Sequence, residues 1–300
     1  MKLAVIVSFL DEAAYLPTLL ASMRSQTRKP DLLLLVDDGS SDRSAELAEA
    51  FAQECDYARA MRRPPRPPER DRLATAAELV SFLWAVDQLG DEYDLVAKMD
   101  ADLKLSSDLF ETVVSAFESD SQLGMAGPYL SAKTGARLTR ERCPAWHVRG
   151  PARFYRRACF NRISPIPPIL GWDTIDEARA RRVGWTTRSL EMPMGDTIHL
   201  RPTGSLQGSL RGARRRGIAA YASGMDPAWL VAGAVSRFFK ERPRMLDAAN
   251  YLSGWAVAYV RRHARAEPEL RAFVRREQRS RMAAALRLVR RRREAASPTI

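Results

Sequence analysis

Four short segments hold the side chains whose types and spacing suit chemistry. In VDDGSSDRS, starting at Val36, a strand delivers Asp37 and Asp38 to its carboxyl end and Gly39 permits a tight turn. Asp42 is then placed to cap the following helix through backbone N–H groups. A capped strand-to-helix turn accounts for Asp42 but leaves two consecutive carboxylates ahead of the turn unexplained. In KMDADLKL, starting at Lys98, an apolar strand ends in Asp100 and Asp102. Alternate residues of an extended chain point the same way, so both carboxylates can converge on one point. Like charges that close are costly unless a cation sits between them, and a hard divalent ion bridging two phosphates is the natural occupant. A short Asp-x-Asp also occurs in surface turns, so its place after a buried strand is what gives it weight.

The third segment, GWDTIDEARARRVGW from Gly171, opens a helix with Asp173 and carries Asp176 and Glu177 one turn further on. A carboxylate there either caps the helix or takes a proton from a nearby hydroxyl, and the two roles are compatible. The fourth, DTIHLRPTGS, contains His199, one of three histidines with His147 and His263. Imidazole is an acceptable ligand for manganese-like ions, and a lone histidine equally serves as a structural residue. Between them, VRGPARFYRRACF from Val148 carries Arg149, Arg153 and Arg156, cations for an anionic ligand or for solvent.

The elements that must position these residues follow from the apolar pattern. Leu3 to Phe9 is a continuous apolar strand, Glu12 to Ser25 an amphipathic helix, Leu32 to Val36 a second strand and Asp42 to Glu54 a second helix. After a Pro/Arg-rich loop from Arg62, Leu73 to Leu89 reads as a third helix and Asp94 to Met99 as a further strand. Continuous apolar strands separated by helices predict an α/β fold with a mostly parallel sheet covered on both faces. Ligands of such sheets bind beyond the carboxyl ends of the strands, which is where the acidic segments fall. From Gly124 to about Ser205 the elements are shorter and interrupted by Pro and Gly; beyond that the chain is helical. The expected organisation is a domain over 1–205 and a basic helical extension over 206–300. In the extension Met245, Leu246, Ala249, Leu252, Trp255, Ala256, Tyr259 and Val260 recur at helical spacing, and a last helix runs from Glu269 to about Arg293.

In order and spacing, the leading strand with a following acidic residue, then VDDGS-S-D, then DAD after an apolar strand, resemble the family 2 glycosyltransferases. The similarity covers roughly the first 200 residues. It implies a GT-A fold, a Rossmann-like sandwich, and inverting transfer of a sugar from a UDP- or GDP-sugar to an acceptor hydroxyl with Mn2+ or Mg2+. By the same resemblance Phe9, Asp11 or Glu12, and Asp38 hold the nucleobase. Asp100 faces the nucleotide and Asp102 the metal, with His199 completing the metal shell. Asp173, counted back from Gly184, matches the general base, with Asp176 as the fallback. Arg149, Arg153, Arg156 and Trp172 lie on the acceptor side. Two departures stand out: SFLDE replaces the family's more usual Pro and Asn, and RDRLATA has Leu73 where its Arg-Asn-x-Gly stretch has Gly. Arg70 and Arg72 of that stretch are the expected nucleotide contacts.

Composition narrows the classes. At 46% hydrophobic residues in 300, the chain can build a sizeable core. Cys55, Cys143 and Cys159 are widely spaced without a CxxC pair, which argues against a disulfide framework or zinc site. No run approaches the ~20 apolar residues of a membrane span, and MKLAVIVSFLDEAAYLP reads as a buried strand and not as an export signal. The expected location is cytoplasmic, at the inner face of a membrane. The net charge is +12, but from Arg201 onward 22 basic residues face 7 acidic ones, leaving the first 200 residues about −3. The basic tail is an amphipathic membrane-surface module, with Trp255 and Tyr259 suited to an interface, or a packing and homo-oligomerisation module. A nucleic-acid-binding protein would leave the acidic segments of the front half without purpose. A nucleotidyltransferase would need a Gly-rich phosphate loop after the first strand, and SFLDEAAYLP has none. The acceptor expected is lipid-linked or a saccharide, in bacterial polysaccharide or glycolipid assembly.

Overall fold

A computed structural model of the chain describes residues 1–65, 71–134, 137–141, 143–193, 196–201, 209–240 and 244–296. Two compact units make it up, one of Met1–Pro168 with Arg179–Ser205, the other of Ile169–Ala178 with Leu206–Ile300. The strands are β1 (Leu3–Phe9), β2 (Leu32–Asp37), β3 (Ala58–Arg62), β4 (Leu95–Asp100), β5 (Leu103–Lys104), β6 (Leu123–Pro128), β7 (Ser131–Thr134), β8 (Arg137–Arg140), β9 (Ala152–Arg156), β10 (Thr186–Leu190) and β11 (Ile198–His199). The helices are α1 (Leu16–Arg24), α2 (Ser44–Glu54), α3 (Ala77–Val86), α4 (Leu109–Ser119), α5 (Arg157–Ile163), α6 (Trp172–Arg182), α7 (Ser209–Ala222), α8 (Pro227–Lys240), α9 (Arg244–Val260) and α10 (Pro268–Ala296).

The first unit is built on a seven-stranded sheet in the order β10-β6-β9-β4-β1-β2-β3. Only β9 runs antiparallel to its neighbours, so the sheet is mostly parallel. The central strands are largely apolar and buried because both faces are covered. Leu3, Val5 and Val7 of β1 share one cluster with Leu16 and Leu19 of α1, Phe51 of α2 and Phe110 of α4. On β9 Phe154 joins that cluster, while the next residue, Tyr155, stacks on Phe82 of α3 and meets Phe160 of α5 edge-on. A small second sheet, β5-β11-β7-β8, lies beyond β4 in sequence.

The observed boundaries correct several expectations. α1 begins at Leu16 and not at Glu12, because Asp11 adopts a left-handed φ of 54° and the chain turns there first. α2 begins at Ser44, whose N–H donates to Asp42 Oδ1 at 2.9 Å, so Asp42 sits ahead of the helix and not in it. α3 starts at Ala77, after a turn over 72–76. The edge strand β3 escapes the apolar pattern: it is short and carries arginines on its exposed side, as edge strands do.

In the second unit, Ile175 and Ala178 pack with Ala266, Leu270 and Val274. Ala220, Leu230, Ala234 and Tyr251 form another cluster. α7 and α9 meet backbone to backbone: a Cβ on Gly254 would lie 2.0 Å from the Arg214 carbonyl oxygen, and one on Gly217 1.9 Å from that of Tyr251. The inward side of α9 is therefore Asp247, Tyr251, Gly254 and Ala258, with Asp247 paired to Arg216 at 3.3 Å and Arg237 at 2.9 Å. Among the described residues no helix is long and apolar enough to cross a membrane.

Candidate active site

The carboxyl ends of β1, β2 and β4 lie side by side, since Phe9 registers with Asp37 and Ser8 with Asp100. The turns after β1 and β2 are laced together. Asp38 N–H donates to the Phe9 carbonyl at 2.9 Å, and Asp11 Oδ1 accepts from Ser41 N–H at 2.7 Å. Glu12 N–H donates to Ser44 Oγ at 2.8 Å. Gly39, at φ 98°, makes the β2 turn that brings Ser40 N–H to Asp37 Oδ1 at 2.8 Å. Phe9 is buried and Asp11 exposed.

Asp38 is a buried carboxylate between two guanidinium groups, with Arg63 Nη1 at 2.8 Å on one oxygen and Arg72 on the other. Arg63 is itself buried, so the pair has little water to fall back on. Removing one member of such a pair strands the other's charge. Asp38→Asn is expected to lower stability by about 3 kcal/mol, read from unfolding curves without nucleotide; an unshifted transition would mean that Arg63 is satisfied elsewhere. Arg72 thus meets Asp38 at the carboxyl end of β2, while Arg70 lies outside the described residues.

β4 ends at Asp100, and Ala101 and Asp102 form a turn before β5. The two carboxylates are therefore brought near one another by a turn and not by strand alternation. Asp100 pairs with the buried Lys98. Asp102 Oδ2 receives Arg201 Nε at 2.9 Å and lies 3.5 Å from His199 Nε2. The register explains the histidine: β11 pairs antiparallel with β5, placing His199 opposite Leu103, next to Asp102. On its other side His199 Nδ1 is 3.5 Å from Glu141 Oε1, and Glu141 also pairs with Arg149. Arg201 spans to Glu12, whose second oxygen, Oε2, is buried without a hydrogen-bond partner.

The environment splits these carboxylates. Burial raises the Asp100 carboxyl above the usual range against the pull of Lys98, and the charge of Asp102 adds to the rise. Burial also lifts Glu12, more than Arg201 draws it back. Burial works on Asp102 in the same direction, yet hydrogen bonding to His199 and Arg201 outweighs it and holds that carboxyl low. Burial pulls His199 down, but hydrogen bonds to Asp102 and Glu141 win and carry it up to about 9. The result is a compact cluster of four carboxylates, Glu12, Asp100, Asp102 and Glu141, each paired with a cation.

Among the described residues no group of three or more His, Cys, Asp or Glu side chains is assembled as a ready metal cage. A divalent ion of the magnesium type needs none, because one or two protein ligands plus substrate phosphates and water complete its shell. Asp102 supplies one carboxylate, and His199 one imidazole once an ion displaces its proton. Glu141 behind Nδ1 orients the ring as second partners of metal-bound histidines do, and the unsatisfied Glu12 Oε2 adds a further oxygen nearby. The donor set fits such an ion.

The acceptor-side residues separate. Arg149 joins the cluster through Glu141. Arg153 is fully buried and donates from Nη2 to the Val148 carbonyl at 2.8 Å. Arg156 does not belong to the site. It registers with Leu95 at the far end of β4 and donates to the carbonyls of Phe117, Asp120 and Leu123 at 2.7, 2.9 and 2.9 Å, closing the end of α4. The third segment falls on α6. In the first unit its end is a left-handed Gly184, where Trp185 N–H donates to the Ala180 carbonyl at 3.0 Å. In the second unit Trp172 is buried, Asp173 is half-buried, and Asp176 and Glu177 are fully buried.

Sequence reasoning missed Glu141, Arg201, Lys98 and Arg63. Lys98, Arg63 and Arg201 lie within or beside the segments already singled out, but nothing in their spacing marks them. Glu141 follows β8 with no pattern around it.

The family model described as Glycosyl transferase family 2 matches residues 4–165. No curated protein matches the sequence. Among solved structures, the mannosyltransferase PcManGT from Pyrobaculum calidifontis in complex with GDP-Man and Mn2+ superposes with a TM-score of 0.54 at 17% identity, over 96% of this chain and 80% of that one. TarS 1-349 of S. aureus in complex with UDP-GlcNAc gives 0.50 at 15% identity, over 87% and 73%. Glucosyl-3-phosphoglycerate synthase from Mycobacterium tuberculosis, in complex with Mn2+, UDP and glucosyl-3-phosphoglycerate, gives 0.50 at 17% identity, over 73% and 77%. At these identities the likeness is one of fold.

Proposed function

The chain belongs to glycosyl transferase family 2, and on that premise we propose that it transfers a sugar from a UDP- or GDP-sugar to an acceptor hydroxyl with inversion at the anomeric carbon. The observation that carries this reading is the cluster of Glu12, Asp102 and His199 at the carboxyl ends of the sheet, bound together by Arg201. The solved structures of like fold that carry a GDP-sugar, a UDP-sugar or Mn2+ support the donor class.

In this reading Asp38, Asp11 and the β1 end at Phe9 frame the nucleobase, and Asp100 meets the ribose. Asp102 and His199 would hold Mn2+ or Mg2+, which would supply charge neutralisation for the departing diphosphate. The acceptor oxygen attacks the anomeric carbon as the bond from that carbon to the diphosphate breaks, and the electron pair leaves with the nucleoside diphosphate. The proton of the acceptor hydroxyl passes to the Asp173 carboxylate. Its partial exposure favours Asp173 over the fully buried Asp176 and Glu177, which no acceptor can reach without rearrangement. Arg149 serves the acceptor side. The acceptor is a saccharide or lipid-linked saccharide of polysaccharide or glycolipid assembly, met by a cytoplasmic enzyme at the inner face of a membrane.

The test is a panel of UDP-, GDP- and TDP-sugars, each assayed for manganese-dependent thermal stabilisation and for release of nucleoside diphosphate. One sugar nucleotide is expected to stabilise and turn over only with the ion; a panel without any metal-dependent response would defeat the reading. Glu141 acts through His199. Glu141→Gln is accordingly expected to weaken manganese-dependent nucleotide binding by about 10- to 100-fold, while saturating manganese restores turnover. Equal manganese affinity in variant and parent would show that Glu141 does not orient the ring.

A further inference from the structure

α9 shows its large apolar side chains to solvent. Met245, Leu246, Leu252, Tyr259 and Val260 are 72%, 53%, 40%, 59% and 77% exposed. With Ala249 and Ala256 they run the length of the helix on one side, at the three- and four-residue spacing the sequence shows. α8, which packs on α9, does likewise with Val231, Val235, Phe238 and Phe239. The cause is the close approach of α7 and α9 through Gly217 and Gly254, which leaves room inside only for small or paired residues. Large, contiguous apolar faces of this kind mark interaction surfaces.

Charge selects the occupant. The stripe on α9 ends at the exposed Arg261, Arg262 and Arg265, and in sequence Lys240, Arg242 and Arg244 with a single Glu241 precede it. The sole acidic residue of α9, Asp247, is buried between Arg216 and Arg237. A second copy laid along the stripe in parallel would set the Arg261, Arg262 and Arg265 cluster against itself, and an antiparallel copy would set it against the stretch that is basic in sequence ahead of α9. Like charges meet in both arrangements. An acidic plane neutralises both clusters at once. A helix of 17 residues, about 25 Å long, with an apolar stripe, an aromatic residue near one end and cations at each end suits the headgroup layer of a bilayer.

We infer that the exposed face of α9 docks on an anionic lipid bilayer, with its apolar stripe among the headgroups and the flanking arginines on lipid phosphates. This deepens the membrane reading above by naming its surface, and it draws on no property of the donor site.

The test uses the full chain, sedimented with vesicles of phosphatidylcholine plus phosphatidylglycerol and with vesicles of phosphatidylcholine alone. The parent is expected to bind the anionic vesicles, to bind the neutral ones far more weakly, and to be released by salt. A triple variant, Met245→Ser with Leu246→Ser and Val260→Ser, is expected to lose about tenfold or more in affinity for the anionic vesicles. Because those three side chains are exposed, its thermal midpoint should match the parent's. Anionic-vesicle binding unchanged in the variant, or no vesicle binding by the parent, would overturn the inference. So would light scattering that shows a parent dimer reduced to monomer by the same substitutions. Vesicle binding of the expected pattern in a protein indifferent to nucleotides would uphold the docking face and count against the donor reading alone.

Discussion

Asp102→Asn is expected to lower transfer by about a thousandfold or more, the loss of several kcal/mol of charge stabilisation at the departing diphosphate. The substitution keeps the shape of the side chain and an oxygen for Arg201 Nε, but removes the charge that holds a divalent ion. Neighbouring groups keep other partners: Arg201 retains Glu12, and His199 retains Glu141. The fold should therefore survive, with an unaltered circular dichroism spectrum. The defect should appear as loss of the manganese-dependent part of nucleotide binding together with loss of turnover. A variant that keeps metal-dependent turnover would remove Asp102 from the metal shell and leave the cluster as a structural ion-pair network.

Asp173→Asn should separate binding from chemistry. A carboxylate that only accepts the acceptor proton contributes about 10²- to 10⁴-fold to turnover, and nothing to the donor's affinity. The variant is expected to bind nucleotide-sugar with manganese as the parent does, and to lose transfer within that range. Asp173 also opens α6, so a helix-capping role alone predicts a different outcome: a modest drop in thermal stability with turnover of the folded fraction intact. Asp176→Asn is the companion. Its carboxylate is fully buried and accepts the Glu177 N–H, so its loss should register in stability.

What the sequence makes legible is whatever has a local period. The apolar runs of β1 and β2, and of β4 apart from Lys98, mark a parallel sheet, and the acidic residues at their ends fall on one edge because parallel strands end together. The DDGS turn is legible for the same reason, since Gly39 and Asp42 have standard jobs at a strand-to-helix turn. The surroundings of Asp102 are not. They depend on β5 and β11, two residues each, which are too short to carry a pattern, and on β8 delivering Glu141 to His199. The resemblance pairs His199 with Asp102, and the two do meet; its second carboxylate partner, Glu141, has no signal in the sequence. Arg201 pairs with residues 99 and 189 positions away, contacts with no local signature. Arg156 shows the opposite failure: an arginine beside site residues in sequence lies at the other end of an antiparallel strand. For α9 the spacing reveals a stripe but not which way it faces. The glycines that bring α7 and α9 together settle that, and they turn it outward.

The central claim is that Asp102 helps to hold one divalent ion on a nucleoside diphosphate. Manganese paramagnetic resonance tests it directly, since free and bound ion differ in signal. With UDP or GDP present, the parent should bind one ion per chain and Asp102→Asn should bind none at the same concentrations. Equal binding by both proteins, or no nucleotide-dependent binding by the parent, would contradict the account.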